Sequence, residues 1–139
     1  MSKPAALVAD IIQKDSAGLL AEWLAELKAR GTGADHRVSE SELKAQGEEF
    51  LGLLVTAIGT GTVVSGEGWR PVREFLERIS RSRALQGFSS SETATLVFSL
   101  KRPLFARVRG AAADAATLGE ATWAISELVD ALGLQTVAI

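Results

Sequence analysis

Residues 81–105 read RSRALQGFSSSETATLVFSLKRPLF, and they contain the end of one predicted helix, a tight corner and the start of another helix. Apolar residues spaced three and four apart, the period of one helix face, lead into this stretch and are followed by Arg83 on the same face. Gly87 is the kind of residue that tolerates a positive φ just after a helix, and Phe88 completes the corner. The chain should therefore turn sharply here, between the two helices.

The helix after the corner is predicted to begin at a capping box, in which the Ser89 hydroxyl accepts from the first turn and Glu92 reaches back. We expect it to cover residues 89–109, with apolar side chains over about 200° of its circumference, so that more than one side is buried. Pro103 lacks a backbone N–H and predicts a kink or an interruption. Lys101 projects into the apolar arc, where it either reaches water or forms an ion pair across a subunit or helix interface.

The whole chain has helical periodicity without clear strand alternation or internal repeats, so an all-α fold in one domain, residues 1–139, is predicted. Ser16, Ser39 and Thr117 are expected to cap helices. Six helices are expected, at residues 4–14, 16–30, 39–58, 69–86, 89–109 and 117–132.

The last predicted helix has two faces of different character. Its apolar residues between positions 118 and 132 mostly share one side, whereas Trp123 points the opposite way and lies close to Leu134 in direction. A lone exposed aromatic residue needs no explanation, but the wide apolar arc of the preceding helix favours a second buried surface. We therefore predict a homodimer with a four-helix seam about a twofold axis. The predicted interface residues are Lys101, Leu104, Trp123 and Leu134.

Charge is distributed unevenly along the chain. Residues 70–109 hold nine basic and three acidic side chains, a net charge of +6, and the remaining residues have a net charge of −8. A basic segment can bind nucleic acid, but no recognition helix or stacking motif accompanies these arginines. Attraction between acidic and basic surfaces of the domain or its partners is the favoured interpretation, and no nucleic-acid partner is expected.

The sequence also restricts the compartment and the chemistry. It has no cysteine, no apolar run of membrane-spanning length and no signal-peptide pattern, so a cytoplasmic protein without a membrane partner is expected. The one histidine, His36, could join Asp35 and Glu40 at a metal, but a lone loop histidine is weak evidence for a site. The adjacent Glu48 and Glu49 diverge by about 100° on a helix and cannot face each other. Without a paired nucleophile and base, we predict a non-enzyme with no metal and no cofactor.

A family resemblance adds to this interpretation. The pattern RxRAxQGFSxSETATxVFSLKxPLF at the corner, AEWLAELKA at residues 21–29 and SESELKAQGEEFLGLL at residues 39–54 resemble the N-terminal domain of the RsbR family, the RsbT co-antagonists of the bacterial stressosome. The resemblance implies a globin-like helical fold that usually lacks haem, dimerises and projects as a sensory turret. It further implies a following STAS output domain that assembles with RsbS and holds the RsbT kinase.

In the family pattern a STAS domain comes next, and the sequence to residue 139 does not include one. We expect either an excised sensor domain or a standalone relative, and the apolar ending LQTVAI favours excision. We expect residues 133–139 to be the start of a connection to a missing output domain, STAS or kinase, through which a shift in the dimer would be transmitted. A haem globin needs a proximal histidine, here expected within residues 75–95, and this range has none. The leading hypothesis is a sensory input domain of RsbR type. The alternatives are a ligand- or haem-binding globin-type sensor of a histidine kinase and a nucleic-acid-associated helical protein.

Overall fold

A computed structural model of the protein describes residues 3–30 and 38–138, and these residues form helices and turns with no strand among them. The all-α class predicted from the sequence is confirmed, and the arrangement is consistent with a globin-like bundle. The described helices are α1 (Lys3–Lys14), α2 (Ser16–Ala29), α3 (Glu40–Ile58), α4 (Arg70–Leu85), α5 (Ser90–Phe98), α6 (Lys101–Ala111) and α7 (Ala115–Ala138), with a 3₁₀ turn at Glu67–Trp69 before α4.

The long helix α7 is the element around which the bundle packs, because it contacts α1, α4, α5 and α6. Its buried face carries Ala121, Ile125, Val129 and Leu132, each at most 2% exposed, as the apolar periodicity predicts. None of the helices in the described ranges combines the length and apolar character needed to cross a bilayer.

Three aromatic rings fill the interior between α2, α3 and α4. The rings of Trp23 and Phe50 have centroids 5.8 Å apart, and the Phe50 and Phe75 rings stack at 5.5 Å. Aromatic pairs at these separations add about 0.5–1.5 kcal/mol each to the stabilisation from burial. The indole nitrogen of Trp23 also donates to Leu96 O at 3.0 Å and to Ser99 Oγ at 2.9 Å, which ties α2 to the end of α5.

Two helix starts differ from the prediction because an aspartate caps each of them. Asp15, not Ser16, caps α2 by accepting from the Gly18 amide at 3.1 Å. Asp114, not Thr117, caps α7 by accepting from the Thr117 amide at 2.7 Å, so α7 begins at Ala115. A carboxylate is as good a cap as a hydroxyl and also interacts favourably with the positive end of the helix dipole.

The interruption predicted from Pro103 is confirmed, so residues 89–109 form two helices and the helix count rises from six to seven in the described chain. α5 ends at Phe98 and α6 starts at Lys101, which places Pro103 in the first turn of α6. There its missing N–H costs nothing, because first-turn amides have no partner within a helix.

The predicted end of the last helix at residue 132 is wrong, because α7 continues past Gly133 to Ala138. A Cβ built on Gly133 would lie 2.1 Å from Cε1 of Phe98, so the position requires glycine for close packing against α5. The glycine permits contact between helices here, and it does not end the helix.

Candidate functional site

The outer face of α7 exposes three large apolar side chains. Trp123 is 67% exposed, Leu134 63% and Val137 51%. At about 100° per residue, their directions fall within about 60° of one another, so they form one stripe along the helix. We call Trp123, Leu134 and Val137 the outer stripe. Trp123 and Leu134 thus share the surface that the sequence assigns to them, and their contact with a partner stays a prediction.

Lys101 lies beside the outer stripe and is paired within its own chain. Its ammonium is 2.6 Å from Oδ1 of Asp130, which joins the start of α6 to α7. Of the sequence-based interpretations, an ion pair between helices is therefore the one observed. The two side chains are 30% and 52% exposed, and such partly solvated pairs contribute only about 0–1 kcal/mol.

Leu104 requires a correction. Its side chain is 2% exposed and packs in the core of its own chain, so it is not part of the outer surface. The prediction treated residues 89–109 as one continuous helix with a wide apolar arc. Because the chain breaks between Phe98 and Lys101, that arc is divided between two helices, and α6 turns Leu104 and Val108 inward.

A small apolar cavity lies at the centre of the bundle. It is lined by residues of α2, α3, α4 and α5, and by Thr136 of α7, which is 4% exposed. Its volume is about 20 Å³, which is room for about one water molecule. The Thr136 hydroxyl donates to Gly133 O at 2.6 Å, so its polar atom is satisfied within α7.

The cavity residues do not fit a haem group. The lining contains no histidine, cysteine, methionine or tyrosine, the side chains that ordinarily bind haem iron. His36, the one histidine of the sequence, lies outside the described residues, as do Asp35 and any site they would form with Glu40. No cluster of three or more metal-ligating side chains occurs in the ranges 3–30 and 38–138.

The corner between α4 and α5 has the predicted geometry. Gly87 has φ of 90°, and the Phe88 amide donates to Arg83 O at 2.9 Å, closing the end of α4. The capping box is complete: the Glu92 amide donates to Ser89 Oγ at 3.1 Å, and the Ser89 amide donates to Glu92 Oε1 at 3.0 Å. These local predictions are confirmed.

Arg83 has a larger role than the sequence indicated. It is 3% exposed, and its guanidinium donates to the side-chain oxygens of Gln46 on α3 and of Gln86 while lying 5.6 Å from the Phe88 ring centroid. Burial lowers the pKa of Arg83, and the nearby carboxylate of Glu42 opposes that shift. The side chain thus connects the corner to α3.

The basic segment 70–109 is largely neutralised within the chain. Six of its nine basic side chains lie within 4 Å of a carboxylate of the described residues, among them Arg107, which is 2.8 Å from Glu22 and 3.4 Å from Asp15. This clamp of α6 onto α2 was missed because its partners are distant in sequence. Pairing of this extent agrees with attraction between acidic and basic surfaces and leaves little free charge for nucleic acid.

Comparison with known proteins identifies one family. The family model described as "RsbT co-antagonist protein rsbRD N-terminal domain" matches residues 17–139. This match includes the corner, both helices around the α5–α6 break and all of α7. No curated protein and no solved structure matches the chain.

Proposed function

Because this chain belongs to the family of RsbT co-antagonist rsbRD N-terminal domains, we propose that it is the non-enzymatic sensory input domain of an RsbR-type stressosome protein. In this proposal the domain acts in the cytoplasm as a homodimer. A stress signal passes along α7 to an output domain, which controls a partner kinase of the RsbT type. The observation that carries the proposal is that α7 lines the central cavity and also bears the outer stripe.

The route from the interior to the surface is short. Thr136 contributes to the cavity lining, and Leu134 and Val137, its near neighbours in sequence, are more than half exposed. One helical turn is about 5.4 Å long, so a change of packing around Thr136 acts within one turn of the exposed residues. Gly133 lies against Phe98, which fixes the same part of α7 to the end of α5.

The break between α5 and α6 also supports the proposed role of α7 in passing a signal to the surface. Ser99 is fully buried in the break, and its hydroxyl accepts a hydrogen bond from the indole of Trp23. This bond fixes the break to α2. Phe98, immediately before it, holds Gly133 of α7. A rearrangement of the break would therefore move α7. Any signal must favour one of two such arrangements to have an effect.

Dimerisation is proposed from the outer stripe. Large apolar side chains that are half or more exposed and aligned on one helix face are typical of surfaces that are covered in an oligomer. A twofold axis beside α7 would bury the stripe of both copies together. Lys101 lies at the edge of this surface through its pair with Asp130.

The alternative of a haem-binding sensor gains no support from the cavity, for the reasons of size and ligand chemistry given above. A ligand larger than about one water molecule would have to displace side chains that line the cavity, such as Phe50 and Phe75. A mass measurement under native conditions distinguishes this alternative, because a retained ligand adds its mass to the polypeptide.

The proposal is tested with the chain joined to an RsbR-type output domain and combined with RsbS- and RsbT-type proteins. Trp123→Glu should change the amount of kinase held by the assembly, because it removes an apolar contact of the outer stripe. Leu85→Glu is the matched control, since Leu85 is 90% exposed at the end of α4 and lies outside the stripe. Equal kinase retention by the wild type and both variants would contradict the proposed role.

A further inference from the structure

The outer face of α7 carries an acidic residue on each side of Trp123. Glu120 and Glu127 line a groove of about 350 Å³ together with Trp123, Pro4 and Leu128. Neither glutamate forms an ion pair with any residue of the described ranges. These three residues, Glu120, Trp123 and Glu127, lie on the α7 side of this groove. We call them the acidic ridge, because they carry negative charge along the helix with a 67% exposed indole between the two glutamates.

A second groove, on α6, has the opposite charge. Its volume is about 380 Å³, and its lining has four cationic and two aromatic side chains and no acidic one. The lining residues are Arg30, Phe98, Lys101, Arg102, Phe105 and Arg109. Three of these residues, Arg102, Phe105 and Arg109, lie along one face of α6, and we call these three the basic groove. Arg109 is without an ion pair in the part of the chain that the structure describes, and Arg102, which is 78% exposed, lies 3.8 Å from Glu26 of its own chain.

The acidic ridge and the basic groove have the same spacing. Glu120 and Glu127 are seven positions apart with Trp123 between them, and Arg102 and Arg109 are seven positions apart with Phe105 between them. At a rise of 1.5 Å per residue, both charged pairs span about 10.5 Å. The two surfaces therefore match in length and carry opposite charges, and in an antiparallel alignment the two aromatic residues lie about one residue, or about 1.5 Å, apart along the helix axis.

The two helices also run in directions that suit this match. Residues 112–114 connect α6 to α7. Lys101, the first residue of α6, pairs with Asp130 in the second half of α7, and Phe98, just before α6, lies against Gly133, so α6 and α7 are antiparallel. A twofold axis parallel to these helices keeps the two α7 helices parallel. The α6 helix of a second copy then runs antiparallel to α7 of the first.

We propose that the acidic ridge of one copy docks into the basic groove of a second copy, and reciprocally about a twofold axis; this deepens the self-association in the proposed function and rests on it. The antiparallel direction sets Glu120 opposite Arg109 and Glu127 opposite Arg102. Trp123 then lies on Phe105, with a guanidinium on either side, an arrangement favourable for ring and cation contacts. A ridge-on-ridge dimer would instead place glutamates against glutamates, which is repulsive.

The test reverses the charges of each surface separately. Glu120→Arg with Glu127→Arg makes the ridge basic, and Arg102→Glu with Arg109→Glu makes the groove acidic. Each double variant alone should be monomeric, with a dimer dissociation constant raised at least about tenfold, because like charges then meet. An equimolar mixture should recover the dimer, since each variant's ridge is complementary to the other's groove. Sedimentation equilibrium measures the masses, and circular dichroism checks that helicity is unchanged.

Glu48→Arg with Glu74→Arg is the control, because it changes net charge equally on α3 and α4 outside both surfaces and should leave the dimer intact. The milder variants Glu120→Gln with Glu127→Gln serve if charge reversal disturbs folding, and they should weaken the dimer and its dependence on salt. A wild-type dimer that neither variant weakens, or two monomeric variants that stay monomeric when mixed, would overturn the ridge-to-groove contact alone. A monomeric wild type would overturn the proposed dimeric function as well.

Discussion

The Phe98 ring occupies the space into which a Cβ of Gly133 would project, at 2.1 Å from Cε1 and 2.4 Å from Cζ. This contact joins the end of α5 to the part of α7 that lines the cavity and bears Leu134. It also explains why a glycine stands inside a continuous helix, where it costs about 1 kcal/mol relative to alanine.

Gly133→Ala should destabilise the protein by about 1–3 kcal/mol, because the Phe98 ring has to move to admit the methyl group. Gly119→Ala on the same helix is the matched control. Its Cβ would meet no atom within 4 Å, so it should stabilise by about 0.5–1 kcal/mol through helix propensity. Urea unfolding at one fixed protein concentration measures both. Equal effects of the two substitutions would contradict close packing at Gly133.

Arg83→Lys should destabilise the corner by about 1–3 kcal/mol, because an ammonium cannot reproduce the planar donors that reach Gln46 and Gln86 beside the Phe88 ring. Arg81→Lys serves as the control on the same helix, since Arg81 is 68% exposed and pairs with Glu77 on the surface. That change should stay within about 0.5 kcal/mol. Chemical denaturation measures the free energy of unfolding of both variants. Equal values would contradict a stabilising role of Arg83 at the corner.

The predictions that succeeded at the corner depended on residues close together in sequence. The Gly87 turn and the capping box of Ser89 and Glu92 depend on residues within a few positions of one another, so local patterns were sufficient. Arg83 and Arg107 could not be assigned in this way. Gln46 is 37 positions from Arg83, Asp15 is 92 positions from Arg107, and no periodicity reports such pairings.

The helix ends and the interface prediction show the same limit. Asp114 was passed over as a cap because Thr117 and Glu120 form a capping-box pattern that the fold does not use. Leu104 was assigned to the surface because the break before α6 changes which residues face inward. The exposure of Trp123, in contrast, followed from helical geometry alone.

The Asp114 cap should make part of the stability depend on pH. Hydrogen bonds from the Thr117 backbone and side chain hold the pKa of Asp114 below its ordinary value. A depressed folded pKa means that the stabilisation is present above the unfolded pKa of about 3.9 and is lost as pH falls through the folded value. Asp114→Asn keeps a capping side chain but removes the charge.

The difference in heat-unfolding midpoint between the wild type and Asp114→Asn should therefore favour the wild type at about pH 7 and shrink as pH falls below about 4. Calorimetric scans of the two proteins across this range measure it. A difference that stays constant down to low pH would remove the carboxylate of Asp114 as its source.

The proposed dimer predicts a specific cross-link. The sequence has no cysteine, so Val137→Cys introduces a single thiol on the outer stripe, at a position that is 51% exposed. Near a twofold axis, the two thiols should form a disulfide under mild oxidation, because Cβ atoms about 3.5–4.5 Å apart permit the bond. Leu85→Cys, on a more exposed side chain outside the stripe, should cross-link more slowly. Non-reducing electrophoresis over time compares the two rates, and equal rates would count against burial of the outer stripe near a twofold axis.

The central claim is that this domain is a dimeric sensor whose interior is filled by its own side chains. Native mass spectrometry of the wild-type protein tests it most directly, because one spectrum reports both the subunit number and any retained ligand. The account predicts twice the polypeptide mass, with each subunit at 14.7 kDa and no additional mass. A monomer would contradict the dimer, and an increment equal to haem or another small molecule would contradict an interior filled by side chains.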